Sequence, residues 1–176
     1  MKKIALLLAA TAFFAACNDN KPSETPQVET PVAKPAVTFP YTASYSSDFS
    51  IGDPELTQKV LDMYKALESS QYDTLGTYYA DTVNWRNFAE DDLVLPREKL
   101  IAKIRNFREQ FRELSETPIA FTALHSNDRN DDWVITWIKE KVTYRNGRQD
   151  STTYQECWRF RDGKVYMHDS YAKYKR

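Results

Sequence analysis

Two carboxylates, Glu156 and Asp169, stand among aromatic residues near the C-terminal end of the chain, in a pattern suited to moving protons. Their relative placement follows from two turns. Asn146-Gly147 and Asp162-Gly163 are dipeptides favoured in two-residue hairpin loops, whose central residues need positive φ. Taken as two-residue loops without bulges, they set Phe160 opposite Val165, Trp158 opposite Met167, Glu156 opposite Asp169 and Tyr154 opposite Tyr171. On the other side of the same strand, Trp133, Ile135, Trp137 and Lys139 oppose Phe160, Trp158, Glu156 and Tyr154. Opposed residues share a face. One face is therefore apolar at one end and carries Glu156 and Asp169 at the other, with Trp137, Lys139, Tyr154 and Tyr171 around them as candidate ligand contacts. Like charges directly opposed repel, and burial disfavours ionisation, so at least one carboxyl gains proton affinity. A proton-sharing pair, or one neutralised by Lys139, is what general acid–base catalysis uses. A hydrated rim is the alternative reading of the same cluster. A bulge in either hairpin would turn one carboxylate to the outside and dissolve the pair.

Other chemistries find less support. Cys157 lies on a strand with no base that the sequence sets beside it, and His168 falls on the opposite face near Arg159. His125 cannot be assigned a side, because the loop before Trp133 hides the register. No metal-ligand spacing occurs, and four glycines leave little room for a phosphate-cradling loop, so neither metal nor cofactor is expected. The charges are interspersed rather than clustered, which argues against nucleic acid as a partner.

The elements that must position these residues can be read in order. Asp53-Pro54 starts a helix, with Asp as cap and Pro at the first helical position. Leu56, Val60, Met63 and Leu67 share one face, widened by Leu61 and Tyr64, until Ser69-Ser70-Gln71 breaks the pattern. A shorter helix is expected from about Asp73 to Tyr79, then a turn into a short strand carrying Val83 and Trp85. Asp91 and Asp92 read as loop charges. After Pro96, Leu100, Ile104, Phe107, Phe111 and Leu114 predict a long helix ending at Thr117-Pro118, and from Ile119 onward the pattern is β. Trp85 and Tyr64 are further candidates for a pocket lining, with ordinary core packing as the alternative.

The first sixteen residues have the layout of an export signal: Lys2 and Lys3, an apolar run from Ile4 to Ala16, and small residues before Cys17. That run is shorter than the roughly 20 residues a bilayer-spanning helix needs. Phe14-Ala15-Ala16-Cys17 resembles a bacterial lipobox, with Phe14 where Leu is usual, which implies lipidation of Cys17 and anchoring to a membrane on the exported side. An ordinary signal peptide with a coincidental cysteine is the alternative. Cleavage before Cys17 removes two lysines and leaves 22 basic against 25 acidic side chains. Residues 17–50, with prolines at 22, 26, 31, 35 and 40, bury too little apolar surface to order themselves and read as a tether. Residues 51–176 remain as one domain, long enough for its own core.

Tyr78-Tyr79-Ala80-Asp81-Thr82-Val83-Asn84-Trp85 after the second helix and Cys157-Trp158-Arg159-Phe160-Arg161-Asp162-Gly163-Lys164-Val165 near the end resemble the NTF2-like (SnoaL-like) superfamily, over about Pro54 to Tyr174. The resemblance implies an α+β cone, with three N-terminal helices on a curved, mostly antiparallel sheet and a pocket at the open end. It also implies a homodimer through the convex sheet face. Members include isomerases, dehydratases, cyclases, hydrolases and non-catalytic adaptors, so the fold carries no single chemistry. Three readings follow. The first is a membrane-tethered domain binding a small organic ligand, and the second a cofactor-free acid–base enzyme using Glu156 or Asp169. The third is a dimerisation module with a filled cone.

Overall fold

The structure, a computed structural model, describes residues 37–87 and 90–173. The export signal, Cys17 and the tether up to residue 36 lie outside the described residues. The compact unit that carries the sheet begins at Pro40. No described helix is long and apolar enough to cross a membrane.

Helix α1 (Pro54–Glu68) starts as the sequence requires: Asp53 Oδ1 accepts the Glu55 N–H at 2.8 Å, and Pro54 occupies the first position, where no donor is needed. Leu56, Val60, Met63 and Tyr64 are buried along one face. Helix α2 (Tyr72–Gly76) is little more than a turn and buries Leu75. Strand β1 (Phe49–Ile51) precedes these helices; β2 (Tyr79–Asn87), β3 (Glu90–Pro96), helix α3 (Arg97–Arg108) and the long strands β4 (Phe111–Ser126), β5 (Asp131–Tyr144), β6 (Gln149–Arg161) and β7 (Lys164–Lys173) follow. The strands form one sheet in the order β1-β4-β5-β6-β7-β2-β3, antiparallel except where β2 runs parallel to β7. Leu56, Val60 and Met63 of α1 join Val134, Ile138, Trp158, Phe160 and Val165 of the sheet in one core. Each such side chain, fully buried, contributes about 1.5–3 kcal/mol.

Three expectations are corrected. The helix after Pro96 ends at Arg108, and Phe111 and Leu114 belong to β4. Their spacing of three imitates a helix because Arg112 is an extra residue in β4. Phe111 pairs with Tyr144, but Leu114 with Val142, so both turn to the buried side. Asp91 and Asp92 lie in β3, which pairs with β2 through Leu93, Val94 and Leu95. Both hairpin registers also slip by one. The Asn146-Gly147 loop has three residues, not two: Tyr144 N–H donates to Arg148 O at 2.8 Å, and Gly147 takes φ +86° as the bulge position. Asp162 and Gly163 do form the two-residue loop, with φ 51° and 69°. Two steps on, Tyr166 is an extra residue, since Phe160 pairs with Val165 but Arg159 pairs with Met167.

These slips re-sort the faces. Val134, Thr136, Ile138, Glu140 and Val142 of β5 point inward and are buried, whereas Trp137 and Lys139 point outward. On β7, His168 and Ser170 turn inward, and Asp169 and Tyr171 outward. The β5 face expected to carry Trp137 and Lys139 inward thus lies outside, where Trp137 and Tyr171 stand exposed at 37% and 62%.

Beneath the outer face, Asp131 collects four donors. Arg159 Nε lies at 2.8 Å, Trp133 Nε1 at 2.8 Å and Tyr45 OH at 3.0 Å from Oδ2, and Tyr166 OH lies 2.9 Å from Oδ1. Tyr45 belongs to a stretch whose composition reads as tether. It docks because Arg159 both donates to its hydroxyl and stacks over its ring at 4.3 Å.

Candidate functional site

The inner face of the sheet, α1 and α3 enclose a cavity of about 690 Å³. Its walls are the rings of Tyr64, Tyr79, Trp85, Tyr154 and Trp158. Its rim is the solvent side of α3 and the turn after it, where Lys99, Asn106, Phe107 and Gln110 are exposed. Three carboxylates enter it from three neighbouring strands: Glu116 of β4, Glu140 of β5 and Glu156 of β6, each no more than 9% exposed.

Glu156 is the best-held of the three. Tyr64 OH donates to its Oε2 at 2.5 Å and also bonds Thr136 Oγ1 at 2.7 Å. Burial first, and then the neighbouring Glu156 charge, keep the Tyr64 phenol far above its ordinary range, so the hydroxyl stays a donor. His168 is 2% exposed and sits between two indoles, its ring 4.2 Å from that of Trp85 and 4.0 Å from that of Trp158. Its Nε2 comes within 3.3 Å of Glu156 Oε1, but without hydrogen-bond alignment, and neither ring nitrogen has a hydrogen-bond partner among the described residues.

Glu116 and Glu140 face one another across β4 and β5. Desolvation, followed by the charge of Glu140, pushes the Glu116 carboxyl up to about 10. Desolvation is also the largest effect on Glu140, raised to about 7. The physical content is that two opposed, buried carboxyls cannot both ionise cheaply, so the pair retains a proton near neutral pH. Glu116 Oε2 has no hydrogen-bond partner among the described residues, and the Tyr154 hydroxyl reaches Glu140 Oε1 only at 3.5 Å. No ion pair forms at Glu116 or Glu140 among the described residues, and no described group of acidic, His or Cys side chains is arranged to hold a metal ion.

Of the residues singled out from the sequence, Glu156, Tyr64, Trp85 and Tyr154 meet in this cavity. Asp169, Trp137, Lys139 and Tyr171 do not. Asp169 lies opposite Cys157 on the outer face, where Arg86 approaches it at 3.7 Å. Burial, then Asp169, pushes the Cys157 thiol up to about 12, which leaves it inert as a nucleophile. His125, with no side assigned, bonds Asp132 at 2.7 Å away from the cavity. The sequence reading missed Glu116, Glu140, Tyr79 and His168. Glu140 was legible as an acid in the apolar series Val134, Thr136, Ile138, Val142, but Trp133, Ile135 and Trp137 offered an equally apolar series on the same strand.

A seven-stranded curved sheet capped by three helices, with a cavity on its concave face, defines the cone-shaped α+β class. The SnoaL-like domain family matches residues 60–168, more than half of the chain, and the protein belongs to it. Among solved structures, it is similar to an NTF2-like protein of unknown function from Burkholderia pseudomallei (TM-score 0.56, 19% identity, 67% of this chain and 90% of that one covered). It is similar also to an LEH-like epoxide hydrolase from M. tuberculosis (0.57, 13%, 68% and 83%). A third is a protein of ketosteroid isomerase-like fold from Catenulispora acidiphila in complex with trimethylamine (0.54, 15%, 68% and 86%). At these identities the likeness is one of fold. No curated protein matches the sequence.

Because both carboxyls bind a proton more tightly folded than unfolded, the folded chain holds more protons. The associated stability is complete below the ordinary carboxyl value of 4.5 and is lost as pH rises through about 7 for Glu140 and about 10 for Glu116. One such group contributes a slope of at most about 1.4 kcal/mol per pH unit. Glu116→Gln, which keeps the shape and cannot ionise, is expected to stabilise the protein by about 1–3 kcal/mol at about pH 9 and to change little at about pH 5. Denaturant unfolding at the two pH values checks this; an equal effect at both would contradict the shared proton.

Proposed function

We propose that this is an exported, membrane-tethered domain that binds a small organic molecule in its concave cavity without turning it over. The observation that carries the reading is the cavity itself. A cone filled by side chains would leave a dimerisation module, whereas about 690 Å³ lined by aromatic rings and a few convergent polar groups has the size and make-up of a ligand site. Neighbours of the same fold include an epoxide hydrolase and a protein solved with trimethylamine, which is consistent with small-molecule occupancy of such cones. The lipobox-like Phe14-Ala15-Ala16-Cys17 and the proline-rich stretch after it support a lipid anchor that holds the domain away from a membrane surface.

The acid–base alternative takes a different form from the one the hairpin turns suggested. Glu156 and Asp169 are on opposite faces, so the proton carrier in that reading is Glu140, raised to about 7, with Tyr64 as hydrogen-bond donor beside Glu156.

A fragment screen by ligand-observed NMR tests the binding reading. Bound fragments are expected to be lost in Ser170→Phe, which fills the cavity from the β7 wall, while the circular dichroism spectrum is kept. No hits, or hits that persist in that variant, would sink it. Conversion of a bound fragment that stops in Glu140→Gln would replace binding by catalysis. For the anchor, Cys17→Ser is expected to move the protein from the membrane fraction to the soluble exported fraction; continued membrane association would refute lipidation.

A further inference from the structure

The depth of the cavity is acidic and its walls are aromatic. Glu156 has its donor in Tyr64 at 2.5 Å, whereas Glu140 is reached by the Tyr154 hydroxyl at 3.5 Å and Glu116 Oε2 has no partner among the described residues. Glu116 is 9% exposed, lines the cavity and has an oxygen without a hydrogen-bond partner. A buried carboxyl oxygen without a hydrogen-bond partner among the described residues is costly, and a bound group that donates to it relieves that cost. On the same wall His168, 2% exposed, has no hydrogen-bond partner at either ring nitrogen among the described residues, although its Nε2 faces Glu156 Oε1 at 3.3 Å. The ring faces of Tyr64, Tyr79, Tyr154, Trp85 and Trp158 favour a positive charge, and Trp158 Nε1, a buried N–H without a partner among the described residues, adds one donor for a polar group of the same ligand. The aromatic walls, with about 690 Å³ between them, suit the apolar body of an organic ion.

We propose that the ligand is an organic cation, a small molecule with a protonated amine or quaternary ammonium group that sits against Glu116 and Glu140 with its apolar part on the aromatic wall. This rests on the reading of the cavity as a ligand site and adds the chemical class. A cation arriving between the two carboxyls takes the place of their shared proton, which leaves for solvent, so affinity rises with pH. The other titratable groups that face the pair act in known directions. Glu68 of α1, whose Oε1 accepts the Glu116 N–H at 2.7 Å, and Glu156 of β6 add negative charge. Tyr64, Tyr79 and Tyr154 stay neutral, their phenols raised above the ordinary range mainly by burial. His168 of β7 lies on the same wall beside Glu156, its Nε2 3.3 Å from Glu156 Oε1. Lys99 and Lys103 of α3 oppose the cation, Lys99 from the solvent side, where salt screens it.

The test uses three ligands of similar shape: 2-phenylethylammonium, 2-phenylethanol and 3-phenylpropionate. Binding is followed by fluorescence of Trp85 and Trp158 and by calorimetry in two buffers of different ionisation enthalpy. The ammonium is expected to bind about tenfold or more tighter than the alcohol, with the carboxylate weakest, and to release protons on binding. Glu116→Gln and, independently, Glu140→Gln are expected to collapse the ammonium-over-alcohol preference and the proton release together. If the alcohol or the carboxylate binds as tightly as the ammonium, the cation inference falls and the small-ligand reading stands. If none of the three binds, both fall.

Discussion

The arrangement of the inner face depends on one ion pair on the outer one. Asp131 accepts from Arg159, Trp133, Tyr45 and Tyr166, and the Tyr166 contact sits at the bulge where the register of β7 shifts. In the bulge, Tyr166 and Met167 both face Arg159, which donates to the Met167 sulfur at 3.3 Å while Asp131 holds the Tyr166 hydroxyl. Were β7 to continue in the register of its turn, Asp169 would lie directly against Glu156 inside the cone and His168 would be outside. The bulge exchanges that opposed like-charge pair for Glu156 against Ser170, with His168 turned inward between two tryptophans. A buried pair such as Arg159–Asp131 adds little net stability over an apolar substitute, yet losing one partner costs about 3–5 kcal/mol. Its role here is to specify register.

The same two slips mark where the sequence was legible and where it was not. Helix α1, its Asp53 cap, the Asp162-Gly163 turn and the β6 face of Tyr154, Glu156, Trp158 and Phe160 could all be read, because local rules and burial point the same way. Strand β5 could not be sided. Both of its faces are apolar, one rich in tryptophan and covered by the Tyr45 segment near its start, the other β-branched and under the helices. A side-chain period of two then makes a single extra residue in a loop reverse the whole strand. The Asn146-Gly147 dipeptide suits both a two-residue turn and the bulge position of a three-residue one, and nothing local to it decides between them. Phe111 and Leu114 misled for a related reason: a bulged strand places residues three apart on one side, as a helix does.

The cavity therefore holds acids drawn from β4, β5 and β6 rather than from β6 and β7. That alters its chemistry. An opposed Glu156–Asp169 pair would have been flanked by Lys139 and two tyrosines near an open rim. The Glu116–Glu140 pair is instead deep, no more than 9% exposed, and retains a proton because burial disfavours the charged form and neighbouring carboxylates repel a further negative charge. Such a site costs stability at neutral pH and above, a pattern common where a protein keeps polar groups ready for a ligand.

The central claim, that the inner face brings Glu116 and Glu140 together as a proton-sharing pair, is tested most directly by a carbon-detected NMR titration of the glutamate side-chain carboxyls, assigned with Glu116→Gln and Glu140→Gln. The account predicts two glutamates whose titrations are coupled and displaced above the ordinary carboxyl range, with each signal altered by substitution of the other residue. Independent titration of both near the ordinary value of 4.5 would contradict it.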